Sequence, residues 1–262
     1  MSCMTSAKVE DFRRIVWEHY KKNGRHDLPW RKTKDPYKIL VSEVMLQQTQ
    51  VPRVIEKYKK FLEAFPNVRS LARAPLGMVL KVWSGLGYNR RGKYVHDAAK
   101  EIVRAHKGKV PRDLAVLRTL SGMGPYTASA VRVFAFNEPD VLIETNVRTA
   151  FIHHFFPISG DTISRYSDSE VLPIAKMAAK GQDPRKWHSA LFDYGSYLKR
   201  NGIKINSRTR VYTKQSKFKG SLREVRGAIL KAAHMGQDPE SLPFSKRRIG
   251  AALVSLKRDG LI

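Results

Sequence analysis

Leu117-Arg-Thr-Leu-Ser-Gly-Met-Gly-Pro-Tyr-Thr-Ala-Ser-Ala130 decides the fold. Leu114, Leu117 and Leu120 recur at helical spacing, and Gly122 and Gly124 then break the helix where glycine can take φ > 0. Pro125 suits the first position of a new helix, whose apolar face is supplied by Ala128, Val131, Phe134 and Ala135. The pattern predicts a helix–hairpin–helix. In such a hairpin the backbone N–H groups of the glycine turn and of the next helix's first turn point outward together. They form an anion site that suits a nucleic-acid phosphate without any base contact. A bare Gly-x-Gly would equally fit an ordinary corner of an all-α protein. The flanking leucines, Pro125 and the basic background favour the phosphate site.

That background is strong: 49 Lys and Arg against 23 Asp and Glu give a formal charge of +26 over 262 residues. Nucleic acid, an acidic membrane surface or a highly solvated surface would each fit. No run of about 18 apolar residues could span a membrane, and the polar start does not resemble a signal peptide, so an intracellular protein is expected. Cys3 is the only cysteine, which leaves no intrachain disulfide and no four-cysteine metal or iron–sulfur site. The eight histidines show no ligand spacing with a carboxylate partner. No metal and no cofactor are expected.

The periodicity predicts helices along most of the chain. Residues 7 to 22 put Val9, Phe12, Ile15, Val16 and Tyr20 on one face. Tyr37 to Leu46 is apolar on most sides and reads as buried, which makes Glu43 an anomaly. A carboxylate among Leu40, Val41, Val44, Met45 and Leu46 either turns to solvent or Arg31, or is dehydrated, with its pKa raised, and fit for general acid work. Gln47-Gln-Thr-Gln50 breaks the pattern beside it, so Gln48 and Thr49 are candidate DNA contacts. The next helix runs to about Phe65 with Val54, Ile55, Tyr58 and Leu62 inward. After a helix near Leu76 to Trp83, Gly85 and Gly87 present Tyr88 among basic neighbours, as a wedge for a base stack or as a packed core tyrosine.

Glu144-Thr-Asn146 precedes another helical run, with Thr145 or Asn146 as its N-cap. The helix dipole is expected to hold the Glu144 carboxylate ionised. Two carboxylates pushed in opposite directions mark an acid and a charge stabiliser. From Lys199 onward sixteen Lys and Arg face four Asp and Glu, a local +12. Ser221-Leu-Arg-Glu224 reads as a capping box, and Ser245-Lys-Arg-Arg248 opens a last helix with Ile249, Leu253 and Leu256 inward. A three-helix or winged-helix unit is expected there, with Lys246, Arg247 and Arg248 toward phosphates; a basic tail packed on the body is the other reading.

Leu28-Pro-Trp-Arg31, Asp35-Pro-Tyr37 and Val41-Ser-Glu-Val-Met-Leu-Gln-Gln-Thr-Gln-Val51 closely resemble the signature of the helix–hairpin–helix DNA glycosylases, in particular the MutY-type adenine glycosylases. Gly85-Leu-Gly-Tyr88, the hairpin and Asn146-Val147 continue the likeness over about residues 8 to 198. The resemblance implies an all-α body of two helical domains across which DNA is wrapped with a flipped base. One domain would comprise residues 1–30 and 140–200 with Glu144, the other 31–139 with Glu43 and the hairpin, followed by a basic extension at 201–262. It implies that Glu43 protonates the leaving adenine and that Glu144 takes the place of an Asp that stabilises the oxocarbenium-like sugar. Tyr126 and Asn146 match residues around that carboxylate. Gln48 and Tyr88 match the wedge, and Trp30, Arg31, Leu46 and Val51 match the base pocket or its lining. Relatives that also cut the strand carry a Lys where Tyr126 stands; a phenol cannot form a Schiff base, so excision without efficient strand cleavage is expected.

The sequence departs from that family in four places. Lys199 stands near the first cysteine ligand of the usual iron–sulfur cluster. Glu144 carries one methylene more than Asp, beside Thr145 in the family's Gly position. Ser189 falls where Gln or Glu commonly reads the adenine amino group. The C-terminal domain that recognises 8-oxoguanine is expected to be missing. The overall expectation is a monomeric, clusterless, monofunctional glycosylase of base excision repair, acting with genomic DNA on adenine opposite 8-oxoguanine or guanine. A thymine or uracil glycosylase at G mismatches is one alternative; a non-catalytic lesion-scanning or architectural DNA-binding protein is the other.

Overall fold

A computed structural model describes residues 3–156, 166–203, 205 and 217–262. The described chain is all-α, as expected, with thirteen α-helices in order: α1 (Cys3–Asn23), α2 (Pro36–Leu46), α3 (Val51–Ala64), α4 (Val68–Arg73), α5 (Leu76–Trp83), α6 (Arg90–His106), α7 (Leu114–Thr119), α8 (Pro125–Phe136), α9 (Thr145–Phe155), α10 (Asp168–Ala179), α11 (Pro184–Arg200), α12 (Leu222–His234) and α13 (Lys246–Arg258). They form two compact units, residues 1–34 with 129–214, and residues 35–128 with 215–262.

The first unit is built on α1, α9, α10 and α11. Val9, Phe12 and Val16 are buried as the spacing predicts, while Ile15 and Tyr20 are only partly covered. Phe12 meets Phe151 at 4.9 Å between ring centroids and Trp187 edge-on at 6.2 Å. Arg13 closes the end of α10: its guanidinium donates to the carbonyls of Met177 at 2.8 Å and Ala178 at 3.0 Å, in the last turn, whose carbonyls have no i+4 N–H within the helix.

His188, 1% exposed on α11, ties this unit to the strandless segment before Glu144. Its Nε2 accepts the Leu142 N–H at 3.0 Å, which fixes the proton on Nδ1, where it is given to the Pro184 carbonyl at 2.8 Å. Burial pushes the imidazole down to about 4, against a smaller opposite pull from the Pro184 carbonyl and Asp140. The unfolded chain then binds a proton between its ordinary 6.5 and 4 that the folded chain does not. Stability is therefore full above pH 6.5 and falls as the pH drops through that window, by about 3 kcal/mol for this group. Urea denaturation at pH 7 and pH 4 checks it. A His188→Gln variant should lose that much less between the two pH values.

In the second unit α3 buries Val54, Tyr58 and Phe61, with Ile55 and Leu62 at its margin. The six-residue α4 is too short to show a periodicity of its own; Asn67 caps it with a reciprocal Ser70 box. The C-terminal helices form a pair packed on α5: Val225, Ile229, Ile249 and Leu256 cluster with Leu80, and Leu253 packs at the edge. No strand, and so no wing, occurs among the described residues; residues 206–216 of the expected extension lie outside them. Ser221 caps α12, but the Glu224 carboxylate reaches the Gly220 N–H at 2.7 Å, one residue beyond a closed capping box.

Candidate active site

In the second unit Asp35 starts α2 by accepting the N–H groups of Tyr37 and Lys38, with Pro36 at the first helical position. Every residue from Ile39 to Met45 is buried, Glu43 included at 8% exposure. The solvent-facing alternative for Glu43 is thereby removed. The helix stops where Gln48 turns left-handed at φ 53° and becomes exposed. Tyr88 has the same unusual conformation, at φ 47°. Such angles in non-glycine residues persist only where the surroundings impose them.

Arg91 imposes both. It is 8% exposed on α6 and binds the carbonyls of Val44 at 2.9 Å, Met45 at 3.2 Å and Gln47 with one nitrogen. The other nitrogen reaches Thr49 Oγ1 at 3.0 Å and the carbonyls of Leu86 and Gly87, each at 3.2 Å. One guanidinium thus fastens the Gln48 turn to the Tyr88 turn, at a burial that pushes its pKa down to about 10. Nothing in the sequence signals this beyond a basic residue near Tyr88, because five of the six partners are main-chain carbonyls. Arg91→Met is expected to cost about 3–5 kcal/mol, since several buried carbonyls lose their donor. Arg91→Lys should recover little, because a single ammonium cannot span both turns. The urea midpoint of each variant measures the loss.

The hairpin is braced by a residue the pattern did not single out: Glu101 accepts the Ser121 N–H at 3.0 Å and its hydroxyl at 2.6 Å. Gly122 sits at φ 75°, where a Cβ would collide with Tyr94. Gly122 and Gly124 are both exposed, and Tyr126 is half-buried in the first turn of α8. Thr127 accepts from Gln47 Nε2 at 3.1 Å, joining the hairpin to the end of α2.

In the first unit Glu144 itself is the N-cap of α9, in place of the expected Thr145 or Asn146. Its backbone is extended, and the side chain folds back to accept the N–H groups of Asn146 at 2.7 Å and Val147 at 3.1 Å. Lys199 of α11 donates to Asn146 Oδ1 at 2.7 Å. The expectation that the helix terminus holds the pKa of this carboxylate down is corrected. Although the residue is only half-buried, lost hydration of its carboxylate is the largest influence and pushes the pKa up. The Val147 and Asn146 N–H groups and Lys199 pull the other way without prevailing. Burial lowers the pKa of Lys199 in turn, against the opposing pull of Glu144.

Two long-range contacts fix this arrangement. Gly195 of α11 lies against the Asn146 backbone so closely that a Cβ would overlap the Asn146 carbonyl. Asp193, 2% exposed, binds Arg31 through both oxygens at 2.6 and 2.9 Å, and Arg25 through its side chain at 2.5 Å and its N–H at 2.8 Å. Burial opposes its charge, but Arg31 and Arg25 together leave its pKa lowered.

The expected base-pocket residues divide between the units. Trp30, Arg31 and Ser189 belong to the first, where Arg31 also donates to the Ser189 carbonyl at 3.2 Å. Ser189 is buried at 4% exposure; Leu46 and Val51, in the second unit, are half-buried. Lys246 and Arg247 are exposed at the start of α13, whereas Arg248 leans over Phe244 at 5.3 Å and lies 3.9 Å from Glu224. An iron–sulfur cluster does not fit: the one cysteine is Cys3 in α1, and Lys199 directs its ammonium at Asn146. No group of three or more His, Cys, Asp or Glu among the described residues could hold a metal ion. No described helix is long and apolar enough to cross a membrane.

Residues 41–166 match the family model of the HhH-GPD superfamily base excision DNA repair proteins. An adenine DNA glycosylase of Mycolicibacterium smegmatis is 31% identical over 277 residues, which cover 92% of this chain and 89% of that protein. That of Buchnera aphidicola subsp. Baizongia pistaciae is 34% identical over 184 residues, covering 70% of this chain and 51% of the relative. That of Mycobacterium tuberculosis H37Rv is 41% identical over 141 residues, covering 53% and 45%. The chain thus spans about half the length of the last two. Among solved structures, a thermostable thymine-DNA glycosylase superposes with a TM-score of 0.65 at 23% identity, over 79% of this chain and 98% of that one. An endonuclease III–DNA complex gives 0.56 at 20% identity, over 75% and 87%. At these identities the solved structures speak for the fold alone.

Proposed function

Since the chain belongs to the HhH-GPD superfamily of base excision DNA repair proteins, in its MutY-type branch, we propose that it is a monofunctional DNA glycosylase that hydrolyses the N-glycosidic bond of adenine mispaired with 8-oxoguanine or guanine. The observation that carries the reading is Glu43: a carboxyl group in a wholly buried helix segment, one turn before the exposed, left-handed Gln48. A catalytic acid for a departing base needs such shelter from bulk water. Glu43 donates the proton that lets adenine leave as a neutral base. Glu144 supplies the negative charge against the oxocarbenium-like sugar, with Asn146 and Lys199 holding it. Gln48, Thr49 and Tyr88 contact the opened duplex. Gly122, Gly124 and the N–H groups of the following turn take a backbone phosphate, and Lys246, Arg247 and Arg248 add phosphate contacts. Trp30, Arg31 and Ser189 of one unit, and Leu46 and Val51 of the other, are the residues assigned to base recognition. The protein acts on genomic DNA, as a monomer and without a cofactor.

The raised pKa of Glu144 gives the rate its acid limb. Only the ionised form stabilises the sugar cation, so excision falls as the pH drops through that raised value. The activity is tested with labelled duplexes holding A opposite 8-oxoguanine, A opposite G, T opposite G, or U opposite G, each treated with alkali after incubation. Alkali-dependent cuts at the two adenine duplexes support the reading. Cuts confined to T or U would overturn the adenine assignment, and binding without any cut would overturn catalysis. Full cleavage before alkali would overturn monofunctionality.

A further inference from the structure

The C-terminal helix pair is seated beside the turn that carries Tyr88. Besides its apolar contact with Leu80, it is held by Asp259, whose side chain is 5% exposed. Asp259 pairs with Arg226 at 2.5 Å and with Arg90, the first residue of α6, at 2.8 Å. This seating brings Arg223, in the first turn of α12, onto Tyr88. Its Nη1 donates to the phenol oxygen at 2.7 Å, and its guanidinium carbon lies 5.5 Å from the ring centroid. Arg91 lies 5.3 Å from the same centroid. A ring with a guanidinium at its hydroxyl, a second against its face and a left-handed backbone beneath it has little conformational freedom left to lose. The residues leading into α12 are Lys217, Phe218 and Lys219, all exposed, with Phe218 at 61%. Basic residues interleaved with an uncovered aromatic are the composition of a nucleic-acid surface.

We propose that Arg223 is a positioning residue for DNA binding: it fixes Tyr88 for insertion into a base stack and makes α12 part of the DNA-contacting surface. The inference rests on the DNA-glycosylase reading given above. An aromatic wedge that arrives already ordered does not have to lose side-chain entropy on binding, so the gain is in affinity and in the unstacking step. The bond to the phenol is charge-assisted, and its loss is worth on the order of tenfold in affinity.

The test uses the full chain and a duplex with a stable abasic analogue opposite G, flanked by 2-aminopurine, whose fluorescence rises when it unstacks. No catalysis is needed for either readout. R223A should bind about tenfold more weakly and lose most of the fluorescence rise, with an unchanged melting temperature. R223K should be nearly as weak, because it keeps the charge and lacks the planar fork. Y88F should be weakened as well, and R223A combined with Y88F should be no weaker than R223A alone. Additive losses, or full recovery in R223K, would mean an independent phosphate contact and would overturn the proposal. If R223A fails to fold, Y88F alone decides, since unchanged affinity and fluorescence there overturn it too. A wild-type protein that binds this duplex but releases no base from any mismatch refutes the excision reading and leaves this inference intact.

Discussion

Glu43→Gln is expected to lower single-turnover base release by about three orders of magnitude while duplex affinity stays within about twofold. Glutamine fills the same volume in the buried segment from Ile39 to Met45, so the fold has no reason to change. What disappears is the proton. Adenine expelled without one would leave as an anion in a dehydrated setting, and general acid catalysis of this kind supplies about 10²–10⁴ in rate. Rapid-quench kinetics with alkali treatment measure the first quantity and fluorescence anisotropy the second. A variant that keeps a tenth of the wild-type rate would remove Glu43 from the chemistry.

Gly195→Ala has the second large effect, and it acts through Glu144 without touching it. The added methyl group meets main chain, the Asn146 carbonyl, which cannot swing aside as a flexible side chain would. Either α11 retreats or the start of α9 shifts. Overpacking of this kind costs about 1–3 kcal/mol, and displacing a catalytic group by roughly 1 Å can cost on the order of 100-fold in rate. The expected variant is folded, melts lower and excises about 100-fold more slowly, with its binding to an abasic duplex retained. Unaltered melting together with full activity would show that the two helices yield without cost.

These two residues also mark how far the sequence could be read. Glu43 was legible because its oddity is local: one carboxylate in an apolar run, followed at once by polar residues. The hairpin was legible for the same reason, since two glycines and a proline carry their backbone preferences wherever they stand. Nothing around Gly195 in the sequence singles it out, because its need for a missing Cβ arises only when Asn146, 49 positions earlier, is packed against it. Asp193 with Arg25 and Arg31, or Arg91 with six oxygens from two turns, likewise leave no spacing to detect. Glu144 failed differently. The sequence located it at a helix start, and the dipole suggested a pKa held down, but lost hydration is the larger influence there and raises it. No local pattern reports how much water a folded chain excludes.

The interleaving of the two units has a consequence for how the protein is made. Phe12 finds Phe151 and Trp187 only after more than 130 further residues have been added. At about 5–20 residues per second, α1 leaves the ribosome roughly ten to thirty seconds before Trp187 does. Leu80 waits in the same way for Val225 and Leu256. Each nascent chain therefore carries an uncovered apolar helix for much of its synthesis, and neither unit can close until late in translation. Chaperone demand during synthesis is written into this topology, whatever the stability of the finished fold.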